Sequence, residues 1–365
     1  MVSTENIENL LIVTTHPEFT QAAITELKQI DKRLAFVEEF TPGIILCSVP
    51  NVSAFMRRVT EKHLVFARHL APAQATVDLT NTEQDLVTIA TSIADLPEFS
   101  QLERGVRFAV QSRFVQTDKS FGERPYSSGR FNQALAEAFA EETGAIEAIK
   151  KPQIVISILC TMNKGYLGIS TAEENMSSWP GGARHFAQTS EQISRAEFKL
   201  LEALEMFNLS LPTSGHALDL GAAPGGWTRL LLEAGLHVIA VDPANLDPRL
   251  ARRKGLEHYR GYAEQYLEEA VRRRLSFDVI ANDMRMDARD AARLLTQAAL
   301  CLRKDGFVVS VFKLPHATPE INPLATLREA MWILDKAYGI VQARQLFHNR
   351  QEVTVVAAQP LSRRP

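Results

Sequence analysis

Cysteine is scarce in this chain. Its only three, Cys47, Cys160 and Cys301, are odd in number and widely spaced. They form neither a disulfide framework nor a metal-ligand spacing, so a reducing cytoplasm is the expected setting. No apolar run approaches the roughly 20 residues needed to span a bilayer. The start, Met1-Val-Ser-Thr-Glu-Asn-Ile-Glu, has no basic segment and no continuous apolar core, which argues against secretion. An excess of positive charge is missing too: 40 Lys and Arg stand against 43 Asp and Glu, a net charge of −3. That is a poor footprint for a protein that coats nucleic acid unselectively, because such binding rests on phosphate neutralisation. It leaves room for an RNA enzyme that places its positive charge locally. What the chain has is core material: 45% hydrophobic and 23% charged residues over 365 positions, enough for two or three domains. No internal repeat or low-complexity segment appears, and nothing calls for a membrane or an obligate protein partner.

Periodicity divides the chain into three pieces, residues 1–75, 76–180 and 190–365. In the first, Leu10 to Thr15 reads as a strand, Phe19 to Ile30 as a helix, and Leu34 to Glu39 with Ile44 to Val49 as a hairpin turned by Pro42-Gly43. A helix from Val52 to Lys62 and a strand from Leu64 to Leu70 complete a β-α-β-β-α-β order, the signature of an α+β ferredoxin-like sandwich. The polar stretch Ala71 to Asp78 marks the first boundary. The second piece has helices at Asp85 to Leu96 and Ser128 to Glu142, and strands at Val106 to Val115, Gln153 to Cys160 and Gly165 to Ser170. It carries Arg113, Lys119, Arg124, Arg130, Lys150, Lys151 and Lys164 among Phe114, Phe121, Tyr126 and Phe131; Arg184 follows in a Gly- and Pro-rich loop. Cations beside aromatics can grip phosphates and stack bases. The ten Lys and Arg of residues 101–190 are nevertheless matched by nine Asp and Glu, and the Phe spacing also suits a core.

From about residue 190 helices and strands alternate as in an α/β doubly wound, Rossmann-like sheet. Ala217 to Leu220 is a short strand, followed by Gly221-Ala222-Ala223-Pro224-Gly225-Gly226-Trp227 and a helical run to Gly235. Glycines let the backbone turn tightly and approach a ligand. Pro224 suits the first turn of the following helix. The next strand, His237 to Val241, ends in Asp242, 21 residues after Gly221, where a carboxylate can accept both hydroxyls of a ribose. Ala223 stands where a dinucleotide fold has the glycine that admits a pyrophosphate. An adenosine cofactor without phosphate, S-adenosylmethionine (SAM), fits better than a nicotinamide dinucleotide. A plain strand–helix turn is the alternative.

Four ionisable residues fall where such a sheet brings them together. Asp283 ends the strand from Phe277, Lys313 ends the strand from Gly306, and Glu352 opens the final strand. The run Ile340 to Phe347 and the polar turn after it suggest a hairpin, so the last strand runs antiparallel and starts on the same rim. Lys199, on a helix from Ser194 to Phe207, reaches that rim from outside. A ribose hydroxyl is a weak acid, and a lysine can take its proton only when its pKa falls toward neutrality. Lys199 and a sulfonium nearby are the like charges expected to push the Lys313 pKa down. Taken singly, Asp283 could be a cofactor contact, Lys199 a solvated helix residue and Glu352 an edge-strand charge.

At these residues the chain resembles the FtsJ-like ribose 2′-O-methyltransferases. The resemblance rests on Ser194-Arg-Ala-Glu-Phe-Lys-Leu, Asp219-Leu-Gly-Ala-Ala-Pro-Gly-Gly-Trp-Thr, Asn282-Asp-Met, Phe312-Lys-Leu-Pro and Gln342-Ala-Arg-Gln-Leu-Phe-His-Asn-Arg-Gln-Glu-Val-Thr-Val. It covers nearly all of residues 190–360. It implies a catalytic tetrad of Lys199, Asp283, Lys313 and Glu352 with Lys313 as base, and SAM held by Asp219, the turn from Gly221 to Trp227, Asp242 and Asp283. Within the family the chain is similar to members that act on a cytidine of 23S ribosomal RNA. Residues 1–180 are similar to their ferredoxin-like plus THUMP arrangement, which implies RNA docking through Arg113, Lys119, Arg124, Arg130, Lys164 and Arg184. Where the family often has an acid after the third strand, this chain has Tyr259-Arg-Gly-Tyr-Ala263, making Tyr262 the candidate to stack on adenine. The competing readings are a catalytically silent RNA-binding or ribosome-assembly factor, a 2′-O-methyltransferase of another RNA such as tRNA, and a nicotinamide-dependent oxidoreductase.

Overall fold

Apolar β-branched runs bounded by Gly, Pro and Asn set out the strands, and amphipathic stretches between them set out the helices. The computed structural model describes residues 9–115, 124–316, 318 and 321–361. The chain divides into two compact units, the first ending at Arg184 and the second beginning at His185.

The first unit opens with β1 (Leu10–Thr15), α1 (Thr20–Ile30), β2 (Ala35–Thr41), β3 (Ile44–Ser48), α2 (Val52–Val59) and β4 (Ala67–Ala73). Their antiparallel sheet has the order β2-β3-β1-β4, the ferredoxin-like arrangement. Asn51 caps α2 by accepting from the Ala54 amide. The second sheet is built from β5 (Ala75–Asp78), α3 (Gln84–Ala94), β6 (Arg107–Phe114), α4 (Ser128–Thr143), β7 (Ile146–Glu147), β8 (Ile154–Cys160) and β9 (Lys164–Thr171), in the order β5-β9-β8-β6-β7.

The boundary stretch Ala71 to Asp78 is strand on both sides of Gln74, where the earlier strand was expected to end at Leu70. Ala71, Ala73 and Gln74 are buried, and β4 and β5 belong to different sheets with Gln74 between them. Its small residues serve close packing: a Cβ added to Gly168 on β9 would lie 2.0 Å from the Pro72 carbonyl oxygen on β4. A shared core including Leu10, Ile12, Leu46, Leu159 and Tyr166 spans the two sheets.

The second unit runs α5 (Ala196–Met206), β10 (His216–Leu220), α6 (Gly226–Glu233), β11 (His237–Val241), β12 (Leu256–Tyr259), α7 (Ala263–Arg272), β13 (Phe277–Asn282), α8 (Ala288–Ala298), β14 (Leu302–Lys313), α9 (Pro323–Asp335), β15 (Tyr338–Arg344) and β16 (Glu352–Pro360). Its seven-stranded sheet has the order β12-β11-β10-β13-β14-β16-β15. The first five strands are parallel and β16 runs antiparallel between β14 and β15. This is the doubly wound, Rossmann-like sheet with a reversed strand that the alternation of elements predicts. Strand order reverses between β10 and β13, so loops at their carboxyl ends open a crevice where such sheets bind ligands. The register of β14 with β16 sets Lys313 directly opposite Glu352.

Candidate active site

The rim of the second unit is made by strand ends, so side chains far apart in sequence meet there. Lys313 Nζ donates to Asp283 Oδ1 at 2.6 Å and to Glu352 Oε1 at 2.8 Å. Lys199 Nζ, reaching in from α5, lies 3.2 Å from both Asp283 oxygens and 2.7 Å from Glu352 Oε2. The last contact is a close ion pair and not an aligned hydrogen bond, since that oxygen meets no hydrogen-bond geometry. The four side chains are 15 to 22% exposed, so they are largely but not wholly withdrawn from water. Two ammonium and two carboxylate groups form one neutral cluster.

Its electrostatics correct one expectation. Burial pushes the Lys313 pKa down, but Asp283 and Glu352 outweigh it, and the net direction is up. The second lysine was expected to lower it; here the two carboxylates touch the Lys313 amine at 2.6 and 2.8 Å, and attraction to them dominates. Glu352 shows the mirror image. Burial raises its pKa, and Lys313 followed by Lys199 brings it below the ordinary carboxylate value.

Beside the cluster, β10 passes into the glycine turn. Gly225 caps α6 with φ at 113°, and a Cβ there would sit 2.3 Å from Leu250 Cδ1, so the turn closes only with glycine. Helix α6 starts at Gly226, so Pro224 precedes it and does not occupy its first turn. The Asp242 carboxylate, at the end of β11, accepts from the Ala223 amide at 3.0 Å and from the Ala244 amide at 2.8 Å. Each of its oxygens keeps a lone pair for a further donor, such as a ribose hydroxyl. Tyr262 follows β12 and is 63% exposed, an unusual state for a large ring and one that leaves a face for stacking.

Two residues expected at the cofactor lie beneath the turn. Trp227 is 3% exposed, packs in the core and donates its indole N–H to the Ala196 carbonyl at 2.7 Å. Asp219 is 2% exposed and accepts from the Thr228 hydroxyl at 2.6 Å; complete burial pushes its pKa up to about 7. Both hold the turn from below. Sequence reasoning missed Glu197, a buried carboxylate that accepts from the Ile193 amide at 2.7 Å and pairs with Arg229 on α6. An acid three residues before the buried Leu200 was the available signal.

In the first unit the expected RNA-gripping residues scatter. Arg113 turns inward, donates to the Thr14 hydroxyl at 2.8 Å and has its pKa lowered by burial, so it is an internal strut. Arg124 ties Asn81 and the Thr161 carbonyl together and stands over the Phe114 ring. Phe114, Tyr126 and Phe131 pack on one another with centroids 5.1 to 5.7 Å apart in the core and present no stacking face. Arg184 lies 4.3 Å from the Trp179 ring centre. Arg130, Lys150, Lys151 and Lys164 are exposed, whereas Lys119 and Phe121 lie outside the described residues.

A lysine–carboxylate cluster beside a glycine turn, on a doubly wound sheet with a reversed strand, is the arrangement expected of an S-adenosylmethionine-dependent methyltransferase. Residues 192–320 match the family model described as FtsJ-like methyltransferase. Proteins named ribosomal RNA large subunit methyltransferase M are similar to it. The one from Halorhodospira halophila is 38% identical over 188 residues, 51% of this chain and 52% of that protein. The chain thus spans about half the length of that relative. The one from Psychromonas ingrahamii is 26% identical over 323 residues, 84% of this chain and 82% of the other. Among solved structures, TrmN from Thermus thermophilus aligns over 96% of this chain and 99% of its own at 18% identity, with a TM-score of 0.41, too slight a likeness to argue from. Among the described residues no helix is long and apolar enough to cross a membrane.

Proposed function

We propose that this protein methylates a ribose 2′-hydroxyl of large-subunit (23S) ribosomal RNA, with Lys313 as the general base. One observation carries the reading: the Lys313 amine sits at the carboxyl edge of the sheet, fixed by two carboxylates at 2.6 and 2.8 Å. The glycine turn, Asp242 and Tyr262 are the residues that would hold the nucleoside part of SAM. When bound, SAM supplies a methyl group on a cationic sulfur, an electrophile that an oxygen nucleophile can attack directly.

The chain's own residues do the rest. Lys313 Nζ accepts the hydroxyl proton as the oxygen becomes nucleophilic. Asp283 and Glu352 aim the amine and stabilise it once it is charged, and Lys199 balances the two carboxylates so that they do not hold that proton permanently. Fixing the groups before reaction removes orientational cost from the barrier. The similarity of the relatives extends into the first unit, and its second sheet, residues 76–180, resembles a THUMP domain. Its exposed Arg130, Lys150, Lys151 and Lys164 suit backbone docking of the RNA, with the ferredoxin-like residues 1–75 as platform. A reducing cytoplasm fits such a substrate.

Lys313→Ala decides the base. Transfer of labelled methyl from SAM to protein-free ribosomal RNA should vanish while calorimetric SAM binding persists. Wild-type transfer by that variant would remove Lys313 from the mechanism. Mapping 2′-O-methyl groups in cells with and without the protein identifies the nucleotide, expected to be a cytidine, and a site found only in transfer RNA would replace the ribosomal reading.

A further inference from the structure

Helix α5 carries a second buried acid, one turn beyond Lys199. Glu202 is 2% exposed, between Leu200 and Ala203, which are fully buried in the core. A carboxylate so placed is costly unless bonded. Two of its bonds go to one turn. Oε1 accepts from the Phe347 amide at 2.8 Å and Oε2 from the His348 amide at 2.9 Å. Those amides belong to the turn between β15 and β16, and Glu352 follows His348 by four residues.

The turn is stiff in itself. Asn349, 2% exposed, accepts from the Leu346 amide at 2.9 Å and from the Thr354 hydroxyl at 3.0 Å. Gln345 donates to the Arg350 carbonyl at 2.9 Å. Displacement at Phe347 and His348 is therefore passed on to Glu352 instead of being absorbed. A closed circuit results: Lys199 and Glu202 share α5, Glu202 grips the turn, the turn delivers Glu352, and Glu352 meets Lys199 at 2.7 Å.

We infer that Glu202 is a positioning residue for methyl transfer, setting the register of α5 against β16 and so the place of Lys199 and Glu352 around Lys313. The inference rests on Lys313 being the base. In Glu202→Gln one of the two amides faces an amide donor in place of an oxygen, which a buried donor tolerates poorly. The turn and Glu352 then shift, and an ångström-scale shift at reacting groups lowers kcat by roughly 10- to 100-fold.

The test compares wild type, Glu202→Gln, Glu202→Asp and Lys313→Ala as full-length proteins, reading kcat, KM for ribosomal RNA, SAM affinity and the pH–rate profile. Glu202→Gln should lose kcat with SAM affinity unchanged, and its rate should begin to climb at lower pH, because Glu352 no longer raises the Lys313 pKa as strongly. Glu202→Asp keeps the charge and should recover part of the loss. A kcat that falls only with the folded fraction, on an unmoved pH profile, overturns the inference, as does wild-type behaviour. Should Glu202→Gln fail to fold, Glu202→Asp decides alone: lowered kcat with a moved profile supports positioning, and an unmoved profile refutes it. An active Lys313→Ala defeats the base assignment itself; an inactive one beside a normal Glu202→Gln defeats this inference alone.

Discussion

At the residue scale, Lys313 ties the site's chemistry to pH. Its pKa lies above the ordinary lysine value because two carboxylates outweigh burial, so near neutrality it is held as ammonium. The deprotonated fraction, and with it the single-turnover rate, should climb by about tenfold per pH unit until the folded-state pKa is passed. Glu352→Gln removes one of the charges that raise it. The climb should then start at lower pH, although the maximum rate falls because the amine is less well aimed; a curve that does not move would show that Glu352 does not act on Lys313. The same shifts fix the sign of the stability effect. A raised lysine contributes fully below its unfolded value and loses its contribution as pH climbs through its folded one. A lowered glutamate contributes above its unfolded value and loses it as pH falls through its folded one. The cluster therefore stabilises the fold between the ordinary glutamate and lysine ranges. Lys313 was legible in the sequence because a lysine closing so apolar a strand has few structural uses; Asp283 at its strand end, and Glu352 through the hairpin that puts its strand start on the same rim, were placed beside it by topology. Glu202 was not, since its partners are main-chain amides 145 and 146 residues away, which leave no mark on residue type.

Elements were legible wherever periodicity and punctuation agreed. The strand from Leu10 to Thr15 and the reversal of β16 were both readable, the latter because a polar turn so short cannot make a parallel crossover. The stretch from Ala71 to Asp78 shows the limit: its small and polar residues mark a boundary, but not that β4 runs on to Ala73 and β5 fills Ala75–Asp78, where they let two sheets approach. The aromatics near Phe114 failed for a related reason, as core packing and base stacking draw on the same residues. The close approach of β4 and β9 is testable. Gly168→Ala sets a Cβ 2.0 Å from the backbone oxygen of Pro72, a clash that no side-chain rotation relieves. It should cost roughly 1–3 kcal/mol and lower the melting temperature of the first unit by about 2–10 °C, with SAM binding unaffected. An unchanged melting curve would mean that the sheets move apart freely.

At the scale of the molecule, a net charge of −3 leaves no general attraction to RNA, so docking has to come from local surfaces. In the second unit Lys199 and Lys313 are both paired with carboxylates. They make poor phosphate anchors. The first unit keeps Lys150 and Lys151 exposed in the loop before β8 and Lys164 exposed at the start of β9, which is where backbone docking would fall. Residues 185–365 expressed alone contain the glycine turn, Asp242 and the whole lysine–carboxylate cluster, so they should bind SAM as the full protein does. Their affinity for ribosomal RNA should drop. The logarithmic dependence of binding on salt should also flatten, by about 0.7 for each single-strand phosphate that the fragment no longer neutralises. Filter binding over a salt series checks both. Equal affinity and equal slope for the fragment and the full chain would transfer RNA docking to the second unit and leave residues 1–184 with another task.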